Sequence, residues 1–211
     1  MDRQALCKQI TKTQNETERL LRELQTLYRT DPSSNPEIYE KISIGAAFLG
    51  ERIACRLRHL VYDMTEMKKA EYLVAAGEAH GIEIKYKDGI FEITIPRLLP
   101  KRKKWDNTEF LLDPLYFTLS DYKRSHHFPL FRHCTICFTH VYDETLCKSR
   151  VRDYDTLELK QVLDTISAFV LSDDTGRLCD MYHTTEFGAT SGTRITIMEK
   201  EYFPVWLNER K

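Results

Sequence analysis

The chain has 211 residues, 42% of them hydrophobic and 30% charged, with eight Gly and seven Pro. That length buries a core without disulfide or metal staples, and that composition excludes a collagenous, fibrous or wholly disordered chain. A net charge of −1 excludes a generic polycation that coats nucleic acid or anionic membrane, so any anion binding must come from a local patch. No apolar run approaches the ~18 residues of a membrane span. Met1-Asp2-Arg3-Gln4 does not open a signal peptide. Cys7, Cys55, Cys134, Cys137, Cys147 and Cys179 are scattered and read as reduced thiols. A cytoplasmic protein is expected.

Residues 1–80 carry helical periodicity and no strand-like alternation. Leu6, Ile10, Thr13, Thr17, Leu20, Leu24, Leu27 and Tyr28 recur at three- and four-residue steps. Asp31-Pro32-Ser33-Ser34-Asn35-Pro36 interrupts them. Asn35 then Pro36 predicts a helix start with a side-chain cap and a proline where a missing N–H costs nothing. Ile38, Ile42, Ala46, Leu49, Ile53, Leu57, Leu60 and Val61 form a second stripe. A third helix is expected over Glu66 to Ala79, stopped by Gly81. With 12 basic and 12 acidic residues this half is neutral. Each long stripe must be buried against something. The expected form is an antiparallel helical hairpin that acts as a structural bundle, a dimerisation element or an arm for a protein partner.

After Gly81 the period becomes two. Ile82, Ile84 and Tyr86, then Ile90, Glu92 and Thr94, flank Lys87-Asp88-Gly89, a strong hairpin signal. A strand is expected over Phe131 to Tyr142, a helix over 157–171, and strands over roughly 178–187 and 193–199, separated by Gly188-Ala189-Thr190-Ser191-Gly192. The expected fold class is therefore α+β. The helical extension of residues 1–80 precedes a mixed α/β domain of residues 81–211, ordered β-β-α-β-α-β-β.

His126, His127, His133, Cys134, Cys137, His140 and Cys147 invite a zinc reading. The β-branched and aromatic run Arg132 to Val141 reads instead as a strand, in which Cys134 and Cys137 face opposite ways.

The segment Arg152-Asp153-Tyr154-Asp155 carries two carboxylates that share one face if the chain there is extended. Lys160 follows in the first turns of the next helix, and Asp173-Asp174 arrive after it. Convergence of these carboxylates and the lysine would suit Mg²⁺, a hard cation that meets substrate phosphates through few protein ligands. The plain alternative is that such residues cap helices, form turns and keep the surface soluble. Upstream, Arg97, Lys101, Arg102, Lys103 and Lys104 place five cations in eight residues before Trp105. Such cations neutralise phosphates and a tryptophan stacks on a base, although a solvated loop has the same composition.

The arrangement resembles the RusA family of Holliday-junction resolvases, whose motif is Arg-Asp-x-Asp-Asn, a lysine on the following helix and an Asp-Asp pair beyond it. The matching residues are Arg152, Asp153, Asp155, Lys160, Asp164 and Asp173-Asp174. Glu92 to Pro96 with the basic loop after it, Phe131 to Val141, and Thr193 to Glu199 are similar to flanking strands of that family. The resemblance covers about residues 88–203 and leaves residues 1–80 unmatched. It implies a homodimeric, Mg²⁺-dependent, structure-selective endonuclease that acts on branched DNA through a metal-activated water and leaves a 5′-phosphorylated nick. Asp153, Asp155 and Asp174 would hold the metal, with Asp173 helping or substituting, and Lys160 would assist phosphoryl charge. Arg152, Arg97, Lys101 to Lys104 and Trp105 would contact nucleic acid.

Two departures stand out. Thr156 occupies the position of the family's Asn, and Lys160 lies five residues after Asp155, where the family places its lysine four after. One residue on a helix turns a side chain by about 100°. These departures favour an alternative in which the fold persists without catalysis. It would then be a nucleic-acid- or protein-binding module, such as a mobile-element accessory protein or an inhibitor of a nucleic-acid-handling complex. A third reading gives the function to the long helices alone.

Overall fold

A computed structural model of the chain describes residues 3–102, 109–145 and 151–210. Lys103, Lys104, Trp105 and Cys147 lie outside the described residues. Two compact units form, Met1–Lys69 and Ala70–Lys211.

The first unit is the antiparallel pair α1 (Arg3–Arg29) and α2 (Pro36–Met64). The inward stripe of α1 includes polar residues. Thr13 is buried and its hydroxyl donates to Gln9 O (3.0 Å), while Glu16 takes the Arg56 guanidinium at 2.9 Å. A Cβ at Gly45 would stand 3.0 Å from Glu23 Oε2, so the helices approach closely there. Pro36 opens α2 as the sequence predicts, but Asn35 makes no side-chain cap. Asp31 organises the turn instead: its carboxylate accepts from Ser33 N (3.0 Å) and from the Ser34 hydroxyl, and its carbonyl accepts from Asn35 N (3.1 Å). The Ser34 hydroxyl, then the Ser33 amide, hold the Asp31 carboxyl below its usual range.

The third helix, α3 (Lys69–Ala79), starts three residues later than expected. Thr65 ends α2, with its N–H on Val61 O (3.1 Å) and its hydroxyl accepting from Met67 N (3.2 Å). Gly81 (φ 73°) closes α3: Gly81 N donates to Glu78 O (2.8 Å) and Ile82 N to Gly77 O (2.9 Å). Residues 70–79 of α3 belong to the second unit, which places the boundary near residue 69.

That unit is built on β1 (Glu83–Lys87), β2 (Ile90–Ile95), α4 (Glu109–Ser125), β3 (Cys134–Asp143), α5 (Lys160–Val170), β4 (Cys179–Gly188), β5 (Gly192–Glu199) and α6 (Phe203–Glu209). The β1–β2 turn is the Asp-Gly turn the sequence signals, with Asp88 and Gly89 both at positive φ (52° and 80°). Sheet order is β1-β2-β5-β3-β4, antiparallel except for the β3–β4 pair. The parallel pair requires a crossover, which α5 supplies. One sheet face carries Phe91, Ile93, Ile195, Ile197, Ile136 and Phe138, packed in one core with Leu115 and Leu119 of α4 and Val162 and Ile166 of α5. Cys134 lies on this face; Cys137, of opposite parity, lies on the other. The sequence pattern predicts no element after β5, but a short helix, α6, follows it. It lies over that second face through Phe203 against Tyr182 (5.2 Å between ring centroids) and through an ion pair from Arg210 to Glu186. Among the described residues no helix is long and apolar enough to cross a membrane.

Candidate nucleic-acid interface

Ile95, Thr193, His140 and Thr185 form one row across β2, β5, β3 and β4. The chain leaves this end of the sheet twice, through residues 96–102 after β2 and again after β3. Both excursions are tied to the row. The Thr193 hydroxyl donates to Arg97 O (3.0 Å), and the Tyr154 hydroxyl meets Thr185 Oγ1 (3.0 Å). They are also tied to each other. Arg102 N donates to Thr156 O (2.7 Å), Glu158 N to Pro100 O (2.9 Å), and Lys101 bridges Leu157. Arg152 completes the seam: its guanidinium donates to Leu99 O (3.1 Å) and its N–H to the Tyr142 hydroxyl (3.0 Å). Arg97, Lys101 and Arg102 are exposed on this seam, with Arg152 half-buried behind them.

Asp153 and Asp155 are exposed at the same end, but the segment between them is not extended. Tyr154–Thr156 is a tight 3₁₀ turn, fixed by the Thr156 hydroxyl and N–H on Asp153 O (2.7 and 3.1 Å). In such a turn residues two apart project in different directions, so the expected shared face is lost. The local pairing to Pro100 and Lys101 also delays α5 to Lys160. Lys160 is exposed and pairs with Asp164 (3.4 Å).

Asp173 and Asp174 lie elsewhere. They lie between α5 and β4, and Asp173 accepts from Thr175 N (3.2 Å). Cys179 pairs with Cys134, at the start of β3, whereas Tyr154 sits over Thr185, six residues further along β4. Six strand residues span about 20 Å, and the 11 residues of α5 about 16 Å. The two acidic pairs thus occupy opposite ends of the β3–β4 pair. Carboxylates that share one Mg²⁺ each stand about 2.1 Å from it. The donor set Asp153, Asp155, Asp173 and Asp174 does not fit a single ion. Among the described residues no group of three or more His, Cys, Asp or Glu is placed to hold a metal.

The same end holds an aromatic stack that sequence reasoning missed. Tyr154 lies over His140 (5.3 Å between centroids) and over His183 (5.2 Å), and His183 stacks on Phe138 (5.4 Å). His140 is fully buried with neither ring nitrogen partnered by protein, and burial followed by the nearby His183 pushes its pKa down to about 4. The signal was parity: Ile136, Phe138 and His140 alternate on the inward face, so His140 belongs to the core pattern rather than to a metal motif.

The model of a family of unknown function, DUF6100, matches residues 2–211, and the chain belongs to that family. No curated protein matches it.

Proposed function

We propose that this member of DUF6100 is a nucleic-acid-binding module that takes branched or structured DNA on the surface formed by Arg97, Lys101, Arg102 and Arg152, without Mg²⁺-dependent cleavage. One observation carries this reading. The acidic residues that resolvase-like chemistry would need together are held at opposite ends of a parallel strand pair, while the cations are gathered on one seam. Exposed guanidinium and ammonium groups neutralise phosphates and release counterions. In an otherwise neutral chain this patch supplies the local charge that binding requires. Lys103, Lys104 and Trp105, next in sequence, would extend the contact to more phosphates and an unstacked base. The role is that of an accessory protein or inhibitor acting on a nucleic-acid-handling complex.

The test is fluorescence anisotropy with a four-way junction over a salt series. The triple variant Arg97→Glu, Lys101→Glu, Arg102→Glu should lose most of the affinity. It should also flatten the log K against log [salt] slope by about 2–3, since each phosphate contact contributes about 0.9. Unchanged affinity and slope would place binding elsewhere.

A further inference from the structure

β4 is a sheet edge ten residues long that, among the described residues, pairs only with β3, in unbroken parallel register. The bonds Cys134 N to Leu178 O and Glu144 N to Gly188 O show that even-numbered residues turn their backbone groups toward β3. The N–H and C=O groups of Met181, His183, Thr185 and Phe187 therefore point to the open edge. Soluble proteins blunt such an edge with Lys, Pro, a bulge or a very short strand. β4 has none of these. Its two acids are neutralised within the chain, Asp180 by Lys200 (2.8 Å) and Glu186 by Arg194 (3.3 Å) and Arg210. Near its two ends stand large exposed apolar side chains, Met181 at 54% and Phe187 at 50% exposure.

We propose that β4 pairs antiparallel with β4 of a second copy of this chain, Met181 of each copy opposite Phe187 of the other and the two-fold axis at Thr184. Antiparallel hydrogen bonding needs odd residues opposite odd residues, so self-pairing registers come in steps of two. The neighbouring register centred on His183 sets Asp180 against Glu186, a like-charge opposition. The one centred on Thr185 leaves Met181 opposite exposed Ala189. Centred on Thr184, both apolar pairs meet, Tyr182 faces Glu186, and Asp180 faces Gly188. Four hydrogen-bonded pairs at two bonds each then satisfy about eight bonds along the edge. This self-complementarity selects a second copy over an unrelated strand, and the inference stands apart from the nucleic-acid reading.

Light scattering on the eluted full-length chain tests it. The wild type is expected near 50 kDa, twice 24.9 kDa, and Met181→Lys and Phe187→Lys should each return it to the monomer mass with unchanged circular dichroism. Thr184→Cys checks the register. Non-hydrogen-bonded partners lie about 4.5 Å apart at Cα, within disulfide range, so oxidised glutathione should cross-link it to a dimer that the wild type, with its exposed Cys7 and Cys55, does not form. A wild-type monomer at all concentrations, leaving the edge to another protein's strand or to none, overturns the proposal. So does a dimer that survives both lysine substitutions, or failure of Thr184→Cys to cross-link.

Discussion

Acidification should weaken the second unit through His140, and His140→Phe should remove that weakness. In the fold this imidazole is buried between Phe138 and Tyr154, with its pKa lowered from 6.5 to about 4 by burial and by His183. Between those two values the unfolded chain binds the proton and the folded chain does not, so stability falls as pH falls. Above pH 6.5 the group contributes nothing to the pH dependence. At pH 5 the linkage amounts to about 2 kcal/mol, and it saturates near 3 kcal/mol below pH 4. Phe preserves the stack and removes both the proton site and the unpartnered ring nitrogens. The assay is urea unfolding at pH 7.5 and pH 5, followed by tryptophan fluorescence, since Trp206 belongs to the second unit, on α6. The drop in stability between the two pH values should be smaller by about 2 kcal/mol in His140→Phe. An equal drop in both proteins would refute the reasoning. His183, also lowered by burial, acts in the same direction and sets the residual slope in the variant.

Other expectations follow from single contacts. A Cβ at Gly77 would lie 2.1 Å from Thr118 Oγ1 and 3.5 Å from Pro114 O, where α3 crosses α4. Gly77→Ala should therefore cost about 1–3 kcal/mol in urea unfolding, and a neutral result would show that Thr118 rotates away freely. Asp155→Asn should leave junction affinity unchanged or raise it slightly, because it removes a negative charge from the cationic seam; a large loss in anisotropy would contradict that placement. Lys160→Ala breaks only an exposed pair with Asp164 and should shift stability by less than about 0.5 kcal/mol; a larger loss in chemical denaturation would mean that Lys160 has a structural partner.

Local signals carried much of the architecture. Asp88-Gly89, the Pro36 start and the Gly81 stop each reflect a conformational demand of one or two residues, so they are readable without tertiary context. The core parity of β3 was readable for the same reason, since alternation is local. The acidic site was not. Whether Asp153 and Asp155 share a face depends on the Thr156 hydroxyl bending that segment into a 3₁₀ turn. Whether they meet Asp173 and Asp174 depends on the parallel pairing of β4 with β3, a contact between residues about 45 apart. The helix α6 is too short to show a periodic stripe and is held by Phe203 and Arg210 against the sheet, contacts that only the fold creates.

The central claim is binding without metal-dependent cutting. A labelled four-way junction incubated with the full-length protein in Mg²⁺ and in EDTA tests it directly, with a linear duplex as control. The expected result is a retarded complex in both conditions, weaker in Mg²⁺ because the ion competes for the phosphates, with intact strands throughout and the same behaviour for Asp155→Asn. Paired nicks that need Mg²⁺ and vanish in Asp155→Asn would contradict it.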